Sequence, residues 1–163
     1  MSSQGYELQV LLELREGSKK EAEDDLARCV AGLSAAKQEV VALQSKLAQA
    51  KDKRRMLREK YDAEAAQPGA LVGSMYQAQN YLRGLKADEA LIEDEIRKAQ
   101  ENVVSAQQLV TRARKTLIEA ATELEAVLAH QKQWKEEQDT LKKRKQSAAM
   151  DDIAARIWRE KQS

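Results

Sequence analysis

The sequence lacks the residues from which a compact globular core is usually built. It contains no phenylalanine, aromatic residues make up 4% of its 163 positions, and charged residues make up 34%. A globule of this length normally buries more large apolar side chains. Alanine, glutamate, lysine, leucine, glutamine and arginine dominate instead, and all six favour helices. Because the apolar residues recur at regular intervals, which a disordered chain has no reason to maintain, the composition predicts a long helix or a coiled coil.

Four further absences concern the compartment and the partners of the protein. Cys29 is the single cysteine, so no internal disulfide can form and a reducing compartment is expected. No run approaches the ~20 apolar residues of a membrane helix, and residues 1–7 lack the basic and apolar regions of a secretory signal. The net charge of +1 gives no overall attraction to nucleic acid or membrane. We therefore expect a soluble, cytoplasmic protein without direct membrane insertion.

One stretch, residues 67–74, carries the turn signals of the chain. It contains the only proline, Pro68, together with two glycines, and proline beside glycine ends a helix. Ser74, with Gln77 three residues later, is a capping-box start for a second helix. A kink in one continuous helix is the alternative, but the two glycines favour a true reversal of the chain.

The predicted turn divides a single domain into a first arm at about 6–66, a turn at 67–74 and a second arm at about 75–160. Along both arms, mostly apolar or small residues recur every seven positions on two lines, here called the seam lines. In the first arm the seam lines are Leu12, Lys19, Leu26, Leu33, Val40, Leu47, Arg54, Tyr61 and Leu8, Arg15, Ala22, Cys29, Ala36, Leu43, Ala50, Leu57. In the second arm they are Leu82, Glu89, Ile96, Val103, Val110, Leu117, Leu124, Gln131 and Leu85, Ile92, Ala99, Ala106, Ala113, Ala120, Val127, Trp134.

Seven-residue spacing sustained over this length predicts a left-handed supercoil. A short connection between two such helices makes them antiparallel neighbours. The predicted fold class is therefore all-α: an elongated two-helix antiparallel coiled-coil hairpin with a longer second helix. Gly17 and Ser18 are the weak point of the first arm, because Ser18 with Glu21 could form a capping box. A kink or restart of the helix at this point is left open.

The unequal arms predict an overhang. Folding back about residue 69 places Leu8 near His130, so the second arm should project beyond the first after about residue 131. The seam there turns polar, with Gln131, Gln138 and Lys145. Because a lone helix that is polar all round is only marginally stable in water, we expect the overhang to become ordered against a partner.

The six aromatic residues avoid the middle of both arms. Three lie near the turn and three near the termini: Tyr61, Tyr76, Tyr81 and Tyr6, Trp134, Trp158. Binding sites prefer aromatic anchors, although such residues could instead only plug the ends of the helix pair. Next to the turn, both seam lines begin beside Tyr81. The candidate apolar binding patch there consists of Tyr76, Tyr81, Leu82, Leu85 and Ile92.

A basic run, Lys142, Lys143, Arg144 and Lys145, lies within the predicted overhang. It is either a solvated helix face or a contact with an acidic protein surface. Nucleic acid is disfavoured as a partner, because acidic residues flank the run and the chain contains no base-stacking array or reader fold. The candidate contacts near the termini are this run together with Tyr6, Arg156 and Trp158.

No group of residues predicts catalysis. His130 has no ligand set or triad partner nearby, and Cys29 falls on a seam line as a small core residue. Adjacent carboxylates such as Asp24 and Asp25 do not share a helix face, and the sequence has no glycine-rich phosphate loop. A rod of two helices also has no concavity that could exclude water from a reaction. We expect no enzyme, no cofactor and no metal site.

Four segments, in order along nearly the whole chain, resemble the flagellar type III export protein FliJ and its injectisome counterparts of the YscO kind. They are Tyr6–Glu16, Leu57–Tyr61, Tyr81–Leu85 and Met150–Arg156. The last is similar to the closing Met-Asp-Glu-x-x-Ala-x-Arg pattern of the family, compressed by one residue. The missing phenylalanine and the alanine-rich arms depart from the family. The flagellar system is favoured, with an injectisome stalk as the alternative.

The resemblance implies a stalk similar to the central coiled coil of rotary ATPases. In this family the end that carries both termini sits in the pore of the hexameric export ATPase and promotes its assembly. The start of the second arm contacts the cytoplasmic domain of the export-gate membrane protein FlhA, and family members handle export chaperones. The resemblance thus assigns the ATPase contact to the candidates near the termini and the gate contact to the patch beside the turn.

The implied location is cytoplasmic and peripheral to the inner-membrane export apparatus, and catalysis would belong to the ATPase. Two other functions stay open on the sequence alone. One is a structural or tethering coiled coil with no ATPase partner, and the other is a holdase for export cargo.

Overall fold

The computed structural model describes residues 5–162, which form two helices. Helix α1 spans Gln9–Ala65 and helix α2 spans Val72–Gln162. The helices pack against each other, and the described part of the chain contains no strand. The predicted all-α helical hairpin with a longer second helix is therefore confirmed. Gly17 and Ser18 lie inside α1, so the helix does not stop and restart there.

The connection between the helices is a tight turn built on Pro68 and Gly69. The amide of Ala70 donates a hydrogen bond to the carbonyl of Gln67 over 3.4 Å, and Gly69 has a φ of +88°. Proline followed by a residue with positive φ is the pattern of a type II turn. Glycine fits the second of these positions because it has no Cβ to oppose the left-handed conformation.

The second helix begins earlier than the capping box predicts. The amide of Met75 donates a hydrogen bond to the carbonyl of Leu71 over 3.2 Å. Ser74 therefore already lies inside the first hydrogen-bonded turn of α2. The expected start at Ser74 and Gln77 is wrong, because the carbonyl of Leu71, outside the helix, accepts this bond. Helix α1 begins at Gln9, and the predicted bounds of the two arms stay predictions.

The chain divides into two compact units, Asp25–Arg114 and the pair Met1–Asp24 with Lys115–Ser163. The expectation of a single domain stays a prediction. We call Asp25–Arg114 the turn unit, because it contains the reversal, and the other unit the terminal unit. In the turn unit, ion pairs join Lys46 to Glu95 and Lys51 to Glu93. Residue numbers rise on α1 as they fall on α2, so the two stretches are antiparallel.

Every residue of the predicted seam lines is buried or half-buried. In the turn unit the most buried apolar residues are Val110, Ala99 and Ile92, at 1%, 5% and 7% exposure. The core of each unit is therefore the line of contact between its helices. Burial of this apolar surface is the main source of stability for such a helix pair.

In the terminal unit a small apolar cluster holds the chain that precedes α1 against α2. Its buried members are Tyr6, Leu12, Leu124 and Val127, with Leu8, Leu11 and Trp134 packed around them. The Tyr6 hydroxyl also lies 2.6 Å from His130 Nδ1. The predicted neighbourhood of Leu8 and His130 is thus found at Tyr6, two residues earlier.

Candidate functional site

The first candidate site is a cleft beside the turn, here called the turn cleft. It has a volume of about 590 Å³ and is lined by the last turns of α1 and the first turns of α2. Tyr61 lies on the α1 side, whereas Ser74, Ala78 and Tyr81 lie on the α2 side. These three positions are four and three residues apart, which places them on one helix face. The cleft is therefore preformed by the packing of both helices and presents two tyrosines to solvent.

The predicted gate-binding residues divide into exposed and covered positions. Tyr76 and Tyr81 are 65% and 48% exposed, but only Tyr81 lines the cleft. Leu82 and Leu85 are half-buried, whereas Ile92 is only 7% exposed and belongs to the helix–helix core. The structure therefore brings Tyr81 into a concave site and leaves Tyr76 on the adjoining surface. The role of all five in gate binding stays a prediction.

Two of the large side chains that line this cleft, Tyr61 and Met75, are not among the five predicted gate-binding residues. Tyr61 belongs to the predicted group of aromatic residues near the turn and lies on a seam line, whereas nothing in the sequence pattern points to Met75. Both line the cleft together with Tyr81. The available signal was that the seam line of α1 ends at Tyr61 just before the turn. The sequence pattern does not show that the two helix ends leave a cleft beside the Tyr61 ring.

The second candidate site is the final part of α2, residues 139–162, here called the terminal segment. All of its residues are exposed except Ala155, which is half-buried. The overhang was expected from about residue 131, but Trp134 still packs on Tyr6, with 5.4 Å between the ring centroids. Cover from the rest of the terminal unit extends to the half-buried Gln138.

The terminal segment carries an apolar stripe formed by Met150, Ile153, Ile157 and Trp158. These side chains are 65%, 49%, 48% and 61% exposed, respectively. Their spacing of three, four and one residues puts them on one side of the helix. Of these four residues only Trp158 is among the predicted contacts, although the spacing of the other three in the sequence indicates the stripe.

The apolar stripe does not continue the seam. Extended by further sevens, the seam lines of α2 reach Lys145, Ala148, Asp152 and Ala155. Met150, Ile153 and Ile157 fall between these positions and so point to a different side of α2. A partner for the stripe therefore approaches α2 from another direction than α1 does.

The terminal segment is also basic. Residues 142–161 contain seven basic and three acidic residues, a net charge of +4. The basic run at 142–145 is exposed throughout, as are Arg156 and Trp158. An exposed apolar stripe together with positive charge suits a partner whose docking site is apolar and bordered by acidic residues.

Tyr6, the remaining predicted contact, has a structural environment of its own. Its ring packs against His130 and Trp134, and its hydroxyl reaches the Val127 carbonyl at 3.5 Å as well as His130. Only 8% of the residue is exposed. Of the two explanations for the aromatics near the termini, plugging the helix pair describes Tyr6 and Trp134. The assignment of Tyr6 to a partner contact stays a prediction.

Among residues 5–162, no cluster of three or more His, Cys, Asp or Glu side chains could hold a metal ion. Neither described helix contains a stretch long and apolar enough to cross a membrane.

The described chain is thus an all-α packed helix pair, with an aromatic cleft beside its turn and an exposed, partly apolar segment at the end of α2. The sequence matches the YscO-like protein family over residues 3–163, and the chain therefore belongs to that family. This family comprises structural components associated with type III secretion and is not known for catalysis. Comparison with curated proteins and with solved structures gave no match. The resemblance noted from the sequence is confirmed at the level of the family.

Proposed function

We propose that this protein is a non-enzymatic central-stalk component of a type III protein export apparatus. In this proposal the terminal segment binds the hexameric export ATPase and promotes its assembly. The turn cleft and the surface around Tyr81 bind the cytoplasmic domain of an FlhA-like export gate. One chain thereby links the two machines at the cytoplasmic side of the inner membrane, while catalysis belongs to the ATPase.

The apolar stripe of the terminal segment is the observation that carries the ATPase contact. Four large apolar side chains on one helix face, all about half or more exposed, are costly to leave in water and mark an interaction surface. The adjoining basic run adds attraction to an acidic rim and accelerates encounter. Family membership supports an export ATPase as the protein that supplies this rim.

The ATPase contact is tested by co-purification and ATPase-rate assays with the purified full chain. We expect the chain to raise the ATPase rate and to bind less tightly as salt increases, because exposed charges are screened. The basic run is tested by changing all four of its residues to glutamate: Lys142, Lys143, Arg144 and Lys145. This variant should stimulate the ATPase less and bind it less tightly. Reversal of the exposed Lys132 and Lys135, which precede the terminal segment, is the control for added negative charge elsewhere on α2. Equal ATPase stimulation by all three proteins would remove the basic run from the contact.

The turn cleft supports the gate contact through its shape and its residues. A concave site with two tyrosines can take an apolar side chain from a partner and offers hydroxyl groups for hydrogen bonds at its border. Binding of the gate's cytoplasmic domain should therefore depend on Tyr81 more than on charged residues. We also propose that export chaperones are handled by the same protein, as the family resemblance implies. Pull-down with purified export chaperones would test this.

The sequence resemblance favours the flagellar system, whereas the match to the YscO-like family favours an injectisome stalk as the second candidate. Parallel binding assays with a flagellar export ATPase and an injectisome ATPase distinguish them. The tethering and holdase functions are tested in the same experiment. A tether would stimulate neither ATPase, and a holdase would suppress aggregation of export cargo without any effect on ATP hydrolysis.

A further inference from the structure

One ion pair in the turn unit is buried in the seam. Among residues 5–162, Glu89 is the only buried charged residue, with 3% exposure. Arg54 Nε donates a hydrogen bond to Glu89 Oε2 over 2.5 Å. The Arg54 side chain is 29% exposed and the Glu89 side chain 5%, so the arginine keeps partial access to solvent while the glutamate does not. The second carboxylate oxygen, Oε1, is buried without a hydrogen-bond partner.

A buried pair of this kind is an expensive way to join two helices. Removing a carboxylate from water costs free energy that one ion pair seldom recovers, and an unpaired buried oxygen adds to that cost. The same helices show the cheaper arrangement one turn away. Lys51 and Glu93 pair over 3.9 Å with both side chains more than half exposed. Attraction between the helices therefore does not require a charge inside the seam, and the buried pair calls for another explanation.

The apolar seam is poor at specifying its own register. Leucine, valine, isoleucine and alanine recur every seven residues on both helices, so a slip of one heptad again places apolar residues against apolar residues. The Arg54–Glu89 pair breaks this equivalence. A slip of one heptad would bring Glu89 opposite Leu47 or Tyr61, leaving its carboxylate buried without a cation. The correct register thus has a strong advantage at this one layer.

The register at this layer also decides the shape of the turn cleft. Tyr61 follows Arg54 by seven residues on α1, and Leu82 precedes Glu89 by seven on α2, beside Tyr81. Seven residues of helix span ~10 Å. A slip of one heptad would displace the two walls of the cleft by about this distance. Tyr61 and Tyr81 would then no longer line the same cavity.

We propose that Arg54 and Glu89 are positioning residues for the turn cleft: their buried pair holds α1 and α2 in the register that places Tyr61 and Tyr81 in one site. This inference rests on the proposed function of the cleft as the gate-binding site. The pair itself does not contact the partner. It acts by excluding helix registers that the apolar seam alone would tolerate.

The test compares three variants of the full chain, all in a Cys29→Ala background. The apolar pair R54M/E89L removes both charges, and the reversed pair R54E/E89R keeps a buried ion pair. The matched control K51M/E93L removes the neighbouring exposed pair. Spin labels at the exposed positions Met56 and Leu91 report the distance between the helices. The cytoplasmic domain of an FlhA-like export gate is the binding probe, and melting temperature is recorded for each variant.

We expect R54M/E89L to melt at a higher temperature, because apolar residues replace a buried pair. Its distance distribution should nevertheless broaden and show a second population, from molecules in which the helices are displaced along their axes by ~5 or ~10 Å, the lengths of half a heptad and one heptad. If the correct register falls to about one tenth of the molecules, gate affinity falls about tenfold. The reversed pair and the control should keep one narrow distribution and unchanged affinity.

A single narrow distribution with unchanged affinity in R54M/E89L would overturn the proposal. So would equal broadening in the control K51M/E93L, because the effect would then not belong to the buried pair. Broad distances with unchanged affinity would also overturn the positioning role. If the unaltered chain does not bind the gate domain, the proposed function fails, and the distance distributions alone decide whether the pair sets the register.

Discussion

The turn cleft and the terminal segment are both exposed and partly apolar, but they are built differently. The cleft is lined by two helices that already pack on each other, with Tyr61 from α1 and Tyr81 from α2. The apolar stripe of the terminal segment lies on α2 alone, and no part of α1 covers it. A site shaped by two packed helices is organised before its partner arrives. A segment without cover loses conformational freedom on binding and must recover that cost from the contact.

The two surfaces differ equally in charge. The terminal segment has a net charge of +4 over residues 142–161, whereas the cleft is lined largely by uncharged residues, Glu64 being the exception. Binding by the terminal segment should therefore weaken with salt, and binding by the cleft should depend mainly on shape and apolar burial. The difference suggests one adaptable, salt-sensitive contact and one specific, preformed contact in the same chain.

The largest expected difference is in hydrogen exchange. Amides of residues 139–162 should exchange at least ~1000-fold faster than those of residues 82–99, because local opening of an uncovered helix costs far less free energy than opening of a packed seam. Mass spectrometry of the free chain, resolved by peptide, measures both regions at once. Equal protection of the two regions from exchange would contradict the expected difference between the packed seam and the terminal segment. It would indicate that the terminal segment is already covered, for example by a second copy of the chain.

The next effect concerns the apolar stripe. The double variant I153D/I157D should weaken binding to the export ATPase by at least ~100-fold, because two anchors become charged at the centre of the contact. Ala148→Asp, on the extended seam line rather than on the stripe, is the control and should bind nearly as well as the unaltered chain. Equilibrium binding to the purified ATPase gives the comparison. Equal losses of affinity in both variants would mean that added negative charge weakens binding wherever it lies on α2. The stripe would then not be the contact.

Tyr81→Ala should weaken binding to the gate domain by ~30-fold, since truncation of a tyrosine anchor costs about 2 kcal/mol. The melting temperature should change little, because the long seam supplies most of the stability. Leu91→Ala removes a residue of similar exposure outside the cleft and is the control. Loss of melting temperature in Tyr81→Ala with unchanged gate affinity would show that the tyrosine serves packing only.

The smallest effect separates the turn from the helices. Gly69→Ala should destabilise the protein by about 1–2 kcal/mol, because its φ of +88° suits glycine alone. Gly84→Ala, inside α2 with no atom within 4 Å of the new Cβ, should stabilise by up to about 1 kcal/mol. Thermal unfolding compares the two. Gate affinity should fall in the first variant only, and identical melting shifts would argue against the type II turn.

Much of the fold followed from local patterns. The heptad lines predicted which residues face the partner helix, and every one of them is buried or half-buried. The chain turns at Pro68 and Gly69, inside the predicted stretch 67–74, because proline beside glycine has few alternatives in a helical sequence. The capping box at Ser74 was wrong, since such a motif is short and the helix can begin wherever an earlier carbonyl is free to accept a bond. Here Leu71 provides that carbonyl.

The candidate sites were predicted less completely than the fold. Tyr81 and Trp158 were selected as aromatic residues near the turn and the termini, and both are exposed. Met75 and Tyr61 were not assigned to a site, because a cleft depends on how two helix ends diverge, which no single helix pattern encodes. Ile92 and Tyr6 were selected as contacts, yet both are buried, because packing against the other helix competes with binding for the same apolar side chains.

The sequence by itself determined the helices, their seams and the place of the reversal, because each depends on residues close together along the chain. Tertiary structure decided which apolar residues remain available. Tyr6 lies 2.6 Å from His130 only because the helices are antiparallel, and Glu89 is buried only because Arg54 meets it across the seam. The stripe around Ile157 stays exposed because α1 does not cover that part of α2. The physical reason is that the burial of a side chain depends on which residues of another helix pack against it. The pattern of a single helix does not specify those residues.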